Sequence, residues 1–472
     1  MQRARPRVVL QLVSMHAWAL LLLLAAPVPF AIAEGEHAFA LALAIPGCLP
    51  LACVVFMGKQ AVRQPRQIEA VVSVAIVFIL GASLTVPAFA VAGYPAIDAV
   101  FEAVSGITTT GLTTFSGLEA LPRSVHFLRF WLQWSGGFAF AAIAVALIVG
   151  PGVVAIRLGL ADGPGQSLVG SAQSRARLVL GVYLAMTGSA VVSFALIYED
   201  PIDGALTALA AVSTGGFAVS QNSLALETRL VQGATLCAML LGATSITLLA
   251  KTLKNGIREV LGDAEFSIML CLIGAAFALV VLFEALLASE LSAWDALFTV
   301  VSAQSTAGFS TVSMTQFSNA SLLTLIAIMA IGGSLGSTAG GIKVFRAWFA
   351  TSAVRLVLRR TAMGPQTVSA LRIYERRADP AEGTRILAMI FLYLGFALLL
   401  WLALLLAEYA PLPALFETVS AFSTVGLSAG IVSPDLDAGL KLAFVAAMLL
   451  GRLEFLALIA LFSANTWTKE RT

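Results

Sequence analysis

The chain of 472 residues carries one short phrase four times: TTTGL at 108–112, STGGF at 213–217, STAGF at 305–309 and STVGL at 423–427. Set in register on Gly111, Gly216, Gly308 and Gly426, the phrase has Thr109, Thr214, Thr306 or Thr424 two positions earlier in every copy. Three positions earlier stands Thr108, Ser213, Ser305 or Ser423, and directly after comes Leu112, Phe217, Phe309 or Leu427. The position between threonine and glycine is Thr110, Gly215, Ala307 or Val425, so it alone varies freely. The chemistry such a phrase offers is that of the backbone. A ring of carbonyls can replace the hydration shell of a monovalent cation, and a terminal glycine permits angles that a side chain resists. One copy alone would read as a packing notch of small residues. Four copies roughly 100 residues apart are an internal repeat.

The elements that must position these phrases are membrane helices. The chain is 59% hydrophobic and 11% charged, with a mean hydropathy of +0.94, where a soluble domain carries about 25% charge. Apolar runs long enough to cross a bilayer fall at about 8–32, 38–58, 70–92, 126–149, 177–198, 230–251, 266–288, 320–350, 386–407 and 438–463. Between certain pairs lie segments such as PAIDAVFEAVSGI and SAWDALFTVVSAQ, too short to cross and too apolar for a water-exposed loop. They read as re-entrant half-helices, and each ends at the phrase. Thirteen positions before the glycines stand Asp98, Asp203 and Asp295, with Pro413 in the fourth copy, an acid that suits the positive end of a helix.

Basic residues fall in alternate loops: Lys59, Arg63 and Arg66; Arg157, Arg175 and Arg177; Lys251, Lys254 and Arg258; the stretch 355–385; Lys469 and Arg471. Glu34, Glu36, Glu199, Asp200, Glu290 and Glu408 fall in the others. The positive-inside rule then puts both termini in the cytoplasm. Non-helical backbone at membrane depth is tolerated where it is buried in protein or lines a water-filled path. Four such segments around a pseudo-fourfold axis would converge their carbonyls, and the negative ends of four half-helices, on one cation pore. The net charge of +2 gives no reason to expect a nucleic-acid partner.

On these residues the chain resembles the TrkH and KtrB ion transporters, and its two extra N-terminal helices look like the TrkH branch. The resemblance implies an all-α integral membrane protein of four helix, re-entrant pore-helix, helix repeats with pseudo-fourfold symmetry around one pore. It implies two N-terminal helices at 1–66, repeats at 67–172, 173–262 and 263–354, and a cytoplasmic linker with the fourth repeat at 355–472. The filter would run from Thr108 to Gly111, Ser213 to Gly216, Ser305 to Gly308 and Ser423 to Gly426. In related plant transporters a serine at the first filter glycine goes with sodium transport, so Gly111 points to potassium.

A second constellation is AIGGSLGSTAGGIKVFR at 330–346. Gly332, Gly333, Gly336, Gly340 and Gly341, with Ser334, Ser337 and Thr338, should break this span, each glycine costing about 1 kcal/mol in a helix. By the resemblance this is an intramembrane gate loop below the filter, with Lys343 near its end and Arg452 against it. Small-face packing of the loop and snorkelling of Arg452 are the bland alternatives. Glu454, two positions on, faces away from Arg452 if the helix continues. The resemblance further implies an inner-membrane location, dimerisation, and a TrkA-like nucleotide-binding subunit docking on the 355–385 side. No cofactor is expected in the chain itself, and GPGVVAIRLG lacks the strand and helix of a phosphate loop.

Cys48, Cys53, Cys237 and Cys271 read as buried, reduced structural thiols. His16, His37 and His126 form no ligand cluster. The run from Val8 to Ile32 is long enough for a retained first helix, although Ala31-Ile32-Ala33 resembles a signal-peptidase site. Two other classes fit the sequence less well. A proton- or sodium-coupled secondary transporter with broken helices usually has two inverted halves rather than four copies in one orientation, while coupling within the resembled fold itself stays open. A membrane serine protease at GGSLGS lacks a base, since no histidine follows His126.

Overall fold

The computed structural model describes residues 3–57, 66–143, 168–361, 372–373, 376–377 and 380–467. Lys59, Arg63, Arg157, the stretch 150–159, most of the linker at 362–379, Lys469 and Arg471 lie outside them. Each phrase sits at the end of a short helix: Ala96–Ile107, Pro201–Val212, Ala293–Ser305 and Pro411–Phe422, of 12, 12, 13 and 12 residues. Such helices are about 18–20 Å long, well short of a hydrocarbon core of ~30 Å. Proline opens the second and fourth, the Asp200 carboxylate caps the second, and the Ser292 hydroxyl caps the third. Asp98, Asp203 and Asp295 occupy first turns, as the spacing predicts. Ten positions before the glycine of each phrase a large apolar side chain is buried (Phe101, Leu206, Phe298 and Phe416), which sets all four half-helices into the core.

Each half-helix follows a long apolar helix (Gln67–Val91, Leu168–Ile197, Ala264–Leu286, Pro380–Leu406). Each precedes a second one (Arg123–Ile143, Arg229–Ala243, Asn319–Ile331, Ala438–Arg452). Among the described residues, five helices are long and apolar enough to cross a membrane, or eight if each bent pair counts as one. The N-terminal helices pack against Gln67–Val91, pinned by an Arg5–Glu69 ion pair of 2.7 Å and by Ala4 N donating to Thr466 O.

Three spans that read as continuous are bent. The first kinks by 41° after Met15, where the His16 ring meets Leu12 O, and is interrupted again before Pro27, which supplies no amide to the preceding turn. The span at 230–251 bends by 103° between Ala243 and Ile246. There the carbonyls of Gly242 and Ala243 accept from Thr338 N and Ser334 N instead of from their own helix. The span at 438–463 bends by 114° after Arg452, through left-handed Glu454 and Phe455. Glu454 then reaches Arg346 at 2.7 Å and Phe455 stacks on Phe422 at 6.0 Å, ties that offset the strained turn. The cysteines are also corrected: Cys48, Cys237 and Cys271 are exposed and Cys53 half-buried. A thiol is apolar enough for an outward face otherwise made of leucine. In the linker, Arg372–Ile373 pairs antiparallel with Arg376–Arg377, a small departure from an all-helical chain.

The second helices press on the half-helices through glycine. A Cβ at Gly136, Gly242 or Gly451 would collide with the carbonyl oxygen of Ile107, Val212 or Phe422, each four positions before the glycine of its phrase. Gly136→Ala is therefore expected to cost about 1–3 kcal/mol of stability by overpacking. It should appear as a lower melting temperature in detergent, and an unchanged midpoint would contradict the contact.

Candidate functional site

The four phrases share one backbone conformation. Thr108, Ser213 and Ser423 end their helices at φ −81°, −80° and −86°. The next residues, Thr109, Thr214, Thr306 and Thr424, are left-handed at φ 53°, 52°, 55° and 49°. The glycines follow at φ 87°, 78°, 78° and 93°. A β-branched residue in that region is a strained outlier, and four in register mark a constraint of the site. The amides of Thr110, Gly215, Ala307 and Val425 donate back to Ser105 O, Ala210 O, Ser302 O and Ser420 O, closing each helix end in the same way.

The phrases close on one another in a ring. A Cβ at Gly111 would strike Gly215 O, one at Gly216 would strike Ala307 O, one at Gly308 would strike Val425 O, and one at Gly426 would strike Thr110 O. The order runs through all four repeats and returns to the first. Ion pairs staple three of the four joints: Arg123 to Asp200 at 2.7 Å, Arg229 to Asp295 at 3.4 Å, and Lys441 to Asp98 at 2.6 Å. Asp98 and Asp295 are the register acids, whereas the second copy is stapled through Asp200 and not Asp203; the fourth copy, with Pro413 at that register, is the one without such a pair among the described residues. Only Lys441–Asp98 is buried, so the two exposed pairs contribute little. The four glycines floor an open bowl of about 390 Å³. Glu119 accepts from Gln221 N and the Ser220 hydroxyl, two residues that line the bowl, and these bonds hold its carboxyl below the usual range.

On the other side of the ring lies the glycine-rich segment. It is non-helical from Gly332 to Lys343, with positive φ at Gly332, Gly336, Gly341 and Lys343, so the predicted break is present. The segment reaches three of the four phrases. Gly340 N donates to Thr306 Oγ1 at 2.7 Å, Thr338 Oγ1 lies 3.3 Å from Thr214 Oγ1, and a Cβ at Gly340 would strike Ser423 O. Gly333, Ser337 and Thr338 are buried, as are Lys343 and Arg452. Arg452 Nη1 donates to Thr338 O at 2.8 Å, and its guanidinium carbon lies 4.1 Å from the Phe140 ring centre of repeat 1. Lys343 Nζ lies 5.0 Å from the same ring and donates to Ala339 O. Two basic side chains thus lie against one aromatic ring beside the loop. Glu454 pairs with Arg346 and not with Arg452, although the helix that was to turn it away has ended.

Several site residues went unread in the sequence. Gln304 donates to Gly332 O, where the loop begins. Glu417, fully buried, accepts from Ser428 Oγ at 2.5 Å and from Ala429 N and Ile431 N at 3.0 Å, holding the chain after the fourth phrase. Its register mate Glu102, nine positions before its own glycine, pairs with Arg129 at 2.6 Å. The signal was present: an acid recurring at one register of two half-helices, among apolar neighbours.

Comparison with known proteins matches residues 37–469 to the TrkH family, described as cation transport protein. The Trk system potassium uptake protein TrkH of Escherichia coli K12 is 28% identical over 390 residues, 78% of this chain and 79% of the relative. An uncharacterized cation transporter of Methanocaldococcus jannaschii, MJ1485, is 28% identical over 386 residues, 78% and 76% of the two chains. The crystal structure of the potassium transporter TrkH from Vibrio parahaemolyticus superposes with a TM-score of 0.83 at 24% identity, covering 97% of this chain and 99% of that one.

Proposed function

Because the chain belongs to the TrkH family of cation transport proteins, we propose that it takes potassium ions into the cell through the ring of four phrases, gated by the glycine-rich loop and Arg452. The observation that carries the reading is the cyclic closure of glycine on carbonyl from each repeat to the next. A ring so tight that no Cβ fits leaves carbonyl oxygen as the surface an ion meets, which suits a dehydrated monovalent cation. Potassium is the cargo named for the E. coli and Vibrio relatives, and glycine at 111 agrees with it.

The loop is the gate in this reading because it lies against three phrases and carries Arg452 and Lys343 beside the path, where fixed positive charge opposes a cation. The basic stretches give the orientation: bowl outside, loop side and both termini in the cytoplasm, in the inner membrane. The linker at 355–385 is the docking face for a TrkA-like regulatory subunit, which would bring the nucleotide, and the chain works as a homodimer. The five units at 1–66, 67–172, 173–262, 263–354 and 355–472 are its working divisions.

The test is flux through the purified chain in vesicles. Potassium should move down its own gradient, faster than sodium, without an imposed pH or sodium gradient. Potassium flux that requires either gradient would make the chain a coupled symporter, and absence of potassium flux in folded protein would overturn the proposal.

A further inference from the structure

The four repeats are not chemically equal behind the ring. Seven and three positions before the packing glycines Gly242 and Gly451, and before Gly332, which caps the second helix of repeat 3, stand Thr235 and Met239, Phe444 and Met448, and Leu325 and Met329. All six are 0% exposed. At the same two places before Gly136, repeat 1 has Arg129 and Gln133, also 0% exposed. Burying a guanidinium and an amide where the other repeats bury mostly apolar side chains is costly unless both are bonded. They are bonded, and to the neighbouring repeat. Gln133 brackets Gly216, its amide donating to Gly215 O and its Oε1 accepting from Phe217 N at 3.2 Å. Arg129 Nη1 donates to Ala218 O at 3.1 Å, and the guanidinium lies 4.2 Å from the Phe217 ring centre. Glu102 fixes Arg129 through Nε at 2.6 Å and accepts from Thr113 Oγ1 at 2.8 Å.

The phrase held in this way is the one with two consecutive glycines, the loosest backbone of the four. Gly215 is also matched to its holder: a Cβ there would overlap the Gln133 side chain. We propose that Gln133, with the Glu102–Arg129 pair holding Phe217 and Ala218 just beyond it, is a selectivity-determining clamp through which repeat 1 fixes the filter backbone of repeat 2. The inference rests on the filter reading. Gln133 touches no ion, and it acts by setting where Gly215 O stands in the ring.

The test is the potassium-to-sodium flux ratio of the full chain in vesicles. Gln133→Met installs the residue the other repeats use, and the ratio should fall roughly tenfold, about the worth of a buried hydrogen bond. A part that is structural only would lower both fluxes together and leave the ratio unchanged, and that result overturns the clamp. If the methionine variant does not fold, Q133E, which keeps the shape and loses the donor, is read in the same way. Gly215→Ala should impair selectivity by displacing the Gln133 amide, and adding Gln133→Ala should lower the ratio no further, whereas losses that add in the double variant overturn the match. Gly111→Ser is measured beside them. If it alone changes the ratio, the clamp fails and the filter stands; if neither changes it, both fall.

Discussion

Replacing Arg452 by alanine should raise potassium flux through the chain on its own by roughly 10- to 100-fold. The guanidinium holds the loop by a charge-assisted bond to Thr338 O and sits against Phe140, and such a bond contributes about 1.5–3 kcal/mol. Removing it shifts the balance between shut and open by that much and takes a fixed cation from the path. Lys343 remains beside the same ring, so part of the electrostatic barrier should persist and the effect should grow in a variant that also lacks its charge. Arg452→Lys keeps the charge and loses the reach to Thr338 O, which separates the two contributions. Loss of transport in folded Arg452→Ala protein would contradict the gate.

The second large effect is on selectivity. Gly111→Ser should raise sodium permeability relative to potassium by roughly tenfold, because φ 87° costs a residue with a side chain about 1–2 kcal/mol. The new Cβ would also push against Gly215 O, so the strain is relieved by displacing a carbonyl of the next repeat. Since Gly216, Gly308 and Gly426 meet their neighbours in the same way, serine at any of them should act in the same direction. Relative permeabilities measured under bi-ionic gradients decide it. An unchanged ratio at all four positions would remove the ring from the path.

The ring was legible in the sequence because its requirement is local. Left-handed backbone and absent side chains leave a mark at each glycine, and four marks in register outweigh any one. The half-helices were legible from length and composition, and the broken loop from the crowding of glycines around Gly336. The bends after Ala243 and Arg452 were not, because they depend on partners distant in the chain. Gly242 and Ala243 give up their helical bonds only because the Thr338 and Ser334 amides arrive to donate to their carbonyls. Glu454 and Phe455 turn left-handed only where Arg346 and Phe422 wait. Arg129 and Gln133 were overlooked for a related reason: a polar residue near the end of an apolar span reads as interfacial. Their meaning lies in the contrast with Met239, Met329 and Met448, which requires the packing glycines for alignment.

The account stands most directly on where the ion sits. Rubidium substitutes for potassium and scatters anomalously, so diffraction from the rubidium-loaded protein locates it without reference to flux. The result predicted is anomalous density on the ring axis, at the level of the carbonyls of Thr110, Gly215, Ala307 and Val425 and displaced by excess potassium. Density confined to the bowl rim, or off the axis between helices, would contradict the carbonyl ring as the selective site.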